Sequence, residues 1–178
     1  LFFEGLYYTW KAAGDDEWMK GLLDKAAKAM SYSMKDPYRW SKKYGLLKRG
    51  YTIDTWDFVS EYDIVSEGGA MCIDKNRTRF GIMHGDNTGF AMSCSYLAEM
   101  LERSGRKKDA EKFRKIEKDI RNRLDKISWN GKFFTHHVPE DKSFKRDFGI
   151  DESKQVSLSN AYDLNRGISA KQCSEIIN

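Results

Sequence analysis

Residues 44 to 58, YGLLKRGYTIDTWDF, hold the side chains best suited to chemistry: Asp54 and Asp57 bracket Trp56 just after the basic pair Lys48 and Arg49. A carboxyl group beside an indole offers an aromatic platform for a sugar face and a proton donor for a glycosidic oxygen. Packing against Trp56 desolvates a carboxylate and raises its pKa towards working pH, which suits a general acid. Asp57, and secondarily Asp54, are therefore the candidate catalytic residues. The bland alternative is that Asp54 caps a short helix beginning near Thr55.

A second polar cluster, GIMHGDNTGF at 81 to 90, puts His84, Asp86 and Asn87 immediately before a helical pattern. Such groups at a helix N-terminus can hydrogen-bond sugar hydroxyls, and equally Asp86, Asn87 or Thr88 can be the N-cap. The phosphate-loop patterns GxxxxGK[ST] and GxGxxG are absent, and serine-nucleophile chemistry is unsupported because GxSxG does not occur. His136 and His137 are adjacent, so in a strand they face opposite sides and do not chelate one metal; one of them is expected at the rim of the site. No metal and no cofactor are expected. Cys72, Cys94 and Cys173 are odd in number and lack CxxC spacing, which reads as buried small hydrophobes rather than a disulfide framework or a zinc site.

The elements that must position these residues are helical. Phe2, Phe3, Leu6, Tyr7, Trp10 and Ala13 recur at spacings of three and four, and Gly14 ends the stripe. Asp15 or Asp16 caps a second helix with the stripe Met19, Leu22, Leu23, Ala26, Met30, Met34, making a helical hairpin. From Asp36 to Arg79, Pro37, Gly45, Gly50, Gly68 and Gly69 interrupt short runs, and a connection this long in a domain is usually functional. A second hairpin follows: Phe90, Cys94, Leu97 and Leu101, a stop at Gly105, then Ala110, Phe113, Ile116, Ile120, Leu124 and Ile127. Asn130 and Gly131 between aromatic runs predict a tight β-hairpin turn, and a further helix starts near Ser169 and runs through Ile177. Stacked hairpins with their long loops at one end form either an open solenoid or a closed toroid, and only a toroid gathers the loops into one pocket.

With 178 residues, 40% of them hydrophobic and 33% charged, the chain is sized for a single globular domain spanning 1–178. Its +4 charge comes from 31 basic residues interspersed with 27 acidic ones, as in RKKDAEKFRKIEKDIRNRLDK at 106 to 126. That mixture reads as a solvated helix face, so no nucleic acid partner is expected. No apolar run approaches the ~20 residues of a membrane span, and no membrane partner is expected. The chain opens at Leu1 in mid-pattern and ends at Asn178 inside a helical pattern, which suggests a piece of a longer protein; compartment and oligomeric state are left open.

Four segments, YGLLKRGYTIDTWDF, MHGDNTGFAMSCSYLAEMLERSGRKKDAEKF, ISWNGKFFTHHV and VSLSNAYDLNRGIS, together resemble the six-hairpin glycosidases. The likeness is to the bacterial relatives of processing α-glucosidase and of amylo-α-1,6-glucosidase. It implies an all-α fold, part of an (α/α)6 toroid of helical hairpins with long loops and a small β-hairpin. It also implies hydrolysis of a carbohydrate substrate with inversion, the Trp–Asp position associated with the general acid falling on Trp56 and Asp57. Candidate sugar contacts are Trp40, Trp56, His84, Asp86, Asn87 and Trp129. The family's second carboxylate lies near the end of the toroid, whereas about half of the expected helices are present; neither Asp86 nor Glu140 is supported as a substitute. The piece alone is therefore expected to be inactive. Two other classes stay open: a noncatalytic helical-repeat module that binds a peptide or protein, and a sugar epimerase or lyase on the same toroid.

Overall fold

Apolar residues at helical spacing set the first two elements. In the computed structural model, which describes residues 2–50, 78, 80–143 and 151–178, helix α1 (Phe2–Ala13) buries Leu6 and Trp10. The helix ends at Gly14, whose φ of +67° only glycine adopts without strain, with its N–H on the Trp10 carbonyl at 2.8 Å. Asp15, rather than Asp16, is the N-cap of α2 (Asp16–Ser33): its carboxylate accepts from the Trp18 amide at 2.9 Å. Met19, Leu23, Ala26 and Met30 form the buried stripe of α2.

Asp16 is thereby free to tie helices together. Its carboxylate accepts from Arg103 at 2.8 Å and from the Trp10 indole at 2.9 Å. These two donors, the guanidinium first, hold its carboxyl below the usual aspartate range. A depressed folded-state pKa stabilises the fold above the ordinary value of 3.8 and loses that contribution as pH falls through the lowered value. The melting temperature of the wild type should therefore exceed that of Asp16→Asn at neutral pH, and the difference should close as the pH drops below about 4. A difference constant across the titration would contradict this.

The stretch after α2 carries short strands. β1 (Trp40–Ser41) pairs antiparallel with β2 (Leu46–Leu47), in the register Trp40↔Leu47. β3 (Arg49–Gly50), β4 (Phe80–Met83) and β5 (His137–Pro139) form a three-stranded antiparallel sheet in the order β3-β4-β5. The segment between β3 and β4 contains Asp54, Trp56, Asp57 and Cys72, which lie outside the described residues.

Strand β4 runs straight into α3 (His84–Arg103), whose N-cap is Met83 in an extended conformation with no side-chain cap. This corrects the expectation that Asp86, Asn87 or Thr88 caps the helix: all three lie in its first turns, because the helix begins where the strand stops. Gly105, at φ +82°, turns α3 into α4 (Lys107–Ser128), the second helical hairpin. Phe90, Cys94, Leu97 and Leu101 of α3 meet Ala110, Phe113, Ile120 and Leu124 of α4 in a single buried cluster, which α1 and α2 complete. Helix α3 contacts α1, α2, α4 and the short α5 (Leu158–Asp163), so it is the axis of the described fold.

The Asn130–Gly131 turn forms, with Asn130 Oδ1 accepting from the Lys132 and Phe133 amides, but it closes only the isolated Trp129↔Phe134 bridge. The chain then pairs with β4 through β5. Ser169 and Gln172 make a capping box at the start of α6 (Ala170–Ile177). Among the described residues the fold is thus mostly helical, with six α-helices and a small antiparallel β region. None of these helices is long and apolar enough to cross a membrane. Cys94 is buried, its thiol pushed up to about 12 mainly by desolvation, whereas Cys173 is only half-buried.

Candidate functional site

A helix with small residues on one face leaves room beside it. On α3, Gly85, Asp86, Gly89, Phe90 and Ser93 line a cleft of about 890 Å³. Arg39 and the Leu47–Gly50 stretch border it on one side, Tyr162 and Arg166 on the other, and Tyr38 and Tyr96 add aromatic faces. The cleft thus combines flat rings with charged hydrogen-bonding groups, a lining that suits a polyhydroxylated ligand.

Asp86 and Arg49 face each other across this lining. Asp86 Oδ1 lies 3.6 Å from Arg49 Nη1, with the two side chains 38% and 32% exposed. At that separation the pair attracts without a close hydrogen bond, so both groups keep lone pairs and N–H bonds for a bound hydroxyl. Lys48 turns instead to Glu140 at 2.7 Å and lies over the Phe80 ring. Arg166 donates to the Gly85 carbonyl at 2.8 Å and stacks on Tyr162 at 5.5 Å, which fixes the opposite wall.

Asn87, one residue on, points inward. Its Oδ1 accepts from the Leu47 amide at 2.8 Å, and its Nδ2 donates to the carbonyls of Leu47 and Met83, each at 3.0 Å. The amide fully replaces a strand neighbour for β2 and presents no surface to the cleft.

His84 is buried completely. Its Nδ1 lies 2.8 Å from Asp163 Oδ2 and its Nε2 lies 2.9 Å from Ser157 Oγ, while its ring stacks on Phe134 at 5.5 Å. Asp163, also fully buried, accepts in addition from the Thr88 hydroxyl. Asn160 completes the group: its Oδ1 accepts from the Phe134 amide at 2.8 Å and its Nδ2 donates to the Phe134 carbonyl at 3.0 Å. Helix α5 reaches this close because residue 85 has no side chain; a Cβ there would meet Ser159 Oγ at 2.7 Å.

No family model, curated protein or solved structure matches this chain. Of the residues singled out in the sequence, Asp86 borders the cleft, whereas His84 and Asn87 are side-chain anchors beneath it. Trp40 packs on Phe90 at 6.4 Å and Trp129 lies edge-on to Phe134 at 4.9 Å, both partly buried against the core rather than lining the cleft. Asp54, Trp56 and Asp57 lie outside the described residues. Neither His136, buried beside His84 at 6.4 Å, nor His137, which sits over Gly81, belongs to a cluster able to hold a metal ion among the described residues. Ser157, Asn160, Asp163 and Arg166 do not stand out in the sequence as site residues. A usable signal was present in LSNAYDLNRG, where polar Asn160 and Asp163 sit at i and i+3 and so share one face of a short helix.

Proposed function

We propose that the chain is part of a glycoside hydrolase of the six-hairpin type, with its two helical hairpins belonging to an (α/α)6 toroid. It acts on oligosaccharide or polysaccharide glycosidic bonds, α-glucosidase-like, with inversion. Asp57 is the general acid in this reading, Asp54 its neighbour, and a water attacks the anomeric carbon with help from a second carboxylate. The single observation that supports the reading most is the cleft beside α3, where Asp86 and Arg49 stand 3.6 Å apart between aromatic faces. A carboxylate and a guanidinium at that spacing can each engage one of two vicinal hydroxyls, and the rings supply stacking surface.

The test is hydrolysis of α- and β-linked oligosaccharides by the full-length protein, with product anomers followed by NMR. Asp57→Asn should lower kcat by about 10²–10⁴-fold, the range for loss of a general acid, while Asp54→Asn stays within a few fold of wild type. Unchanged cleavage in Asp57→Asn would sink the assignment of the acid. A folded protein that cleaves none of the panel would sink the enzyme reading altogether.

A further inference from the structure

We propose that Ser157 is an activated nucleophile for small carboxylic esters, with His84 as its general base and Asp163 as the group that positions His84. The proposal makes no use of glycoside cleavage. Its first support is the tautomer. Asp163 is surrounded by donors, accepting from the Thr88 hydroxyl and facing Arg166 Nη1 at 3.8 Å, so its carboxyl oxygens serve as acceptors. The 2.8 Å contact with His84 Nδ1 is then an N–H donated to Asp163, which leaves the Nε2 lone pair pointing at Ser157 Oγ, 2.9 Å away. That is the arrangement in which an imidazole takes a hydroxyl proton.

The second support is what Ser157 does not do. It occupies the N-cap of α5 with extended backbone angles, where a serine hydroxyl ordinarily accepts from the helix, yet it makes no side-chain cap. The hydroxyl is given to His84 instead, and Asn160 Nδ2 approaches the same oxygen at 3.2 Å. Asn160 is fixed by both polar groups of the Phe134 backbone, so its remaining N–H holds the Ser157 hydroxyl in place. Of the three groups only Ser157 is partly exposed; His84 and Asp163 are 0% exposed. Val156 and Leu158, 59% and 49% exposed, flank the serine and offer apolar surface to a short acyl chain.

The step balances without a co-reactant. Oγ attacks the acyl carbon as its proton passes to Nε2. The acyl–oxygen bond then breaks, the leaving alcohol takes the proton from Nε2, and water releases the acid from Ser157 by the same relay.

The experiment treats the full-length protein with a fluorophosphonate and, separately, with p-nitrophenyl acetate. The expected result is one phosphonyl adduct, mapped to Ser157, and a burst of nitrophenolate. Both should vanish in Ser157→Ala with the circular dichroism unchanged, and both should persist in Ser153→Ala, an exposed serine in the 3₁₀ turn Glu152–Lys154. Asp163→Asn separates catalysis from folding. Its amide can accept from Thr88 and donate to Nδ1, moving the His84 proton to Nε2, so a folded variant should label about 10³–10⁴-fold more slowly. A folded wild type that forms no adduct, or an adduct that survives Ser157→Ala, overturns the proposal.

Discussion

Asp163→Ala should destabilise the protein by about 3–5 kcal/mol, the range for removing one partner of a buried charged network. Three donors converge on this carboxylate: His84 Nδ1, the Thr88 hydroxyl and, at 3.8 Å, Arg166. The Asp163 side chain is 0% exposed, so no solvent replaces the lost acceptor. The damage also spreads across elements, because Asp163 is on α5, His84 and Thr88 open α3, and Arg166 tethers the following turn to Gly85. Against a domain stability of about 5–15 kcal/mol, such a loss is a large fraction of the total. Urea unfolding should show the midpoint falling sharply for Asp163→Ala and much less for Asp163→Asn, which keeps the shape and an acceptor. Equal shifts for the two variants would mean that volume rather than hydrogen bonding is what Asp163 supplies. A double-mutant cycle with Thr88→Val should return a coupling of about 1 kcal/mol or more, since the two side chains share one bond.

The helices legible from sequence are those whose inner face is apolar. α1, α2, α3, α4 and α6 each follow from stripes such as Met19, Leu23, Ala26 and Met30, or from a cap such as Ser169. α5 was not legible because it has six residues and its buried positions are Asn160 and Asp163, the reverse of the pattern sought. The small β-hairpin expected after α4 has its counterpart in a small antiparallel β region, but the positions and pairing of β1 to β4 are not legible: at two to four residues each they are too short for alternation to register, and β3, β4 and β5 meet only through long-range pairing. The start of α3 was placed too late because polar residues in its first turn imitate a cap, while the true N-cap, Met83, is the end of a strand. The site divided likewise. The carboxylate and amide types at 86 and 87 were visible, but which faces outward depends on where the helix begins. Ser157 and Asp163 stand 73 and 79 residues from His84, a pairing that no local pattern carries.

Asn87→Ala and Asp86→Asn should therefore behave oppositely, although the residues are neighbours. Asn87 is 0% exposed and makes three hydrogen bonds, two of them closing the polar groups of Leu47. Removing the amide strands the N–H and carbonyl of Leu47 at about 1–3 kcal/mol for an unsatisfied group, so a total loss of about 3 kcal/mol is expected, with partial relaxation of β2. Among the described residues Asp86 engages only the part-exposed Arg49 at 3.6 Å, an arrangement worth about 0–1 kcal/mol in a protein surface. Its substitution should leave the melting temperature within about 2 °C of wild type while weakening carbohydrate binding by roughly 10-fold, the equivalent of one charged hydrogen bond. Thermal melts and isothermal titration with the best oligosaccharide of the panel give both numbers. Were Asp86→Asn to cost stability but leave binding untouched, the cleft beside α3 would no longer be the place where the ligand sits. The helix start at His84 would then matter only for packing α3 against β2 and α5.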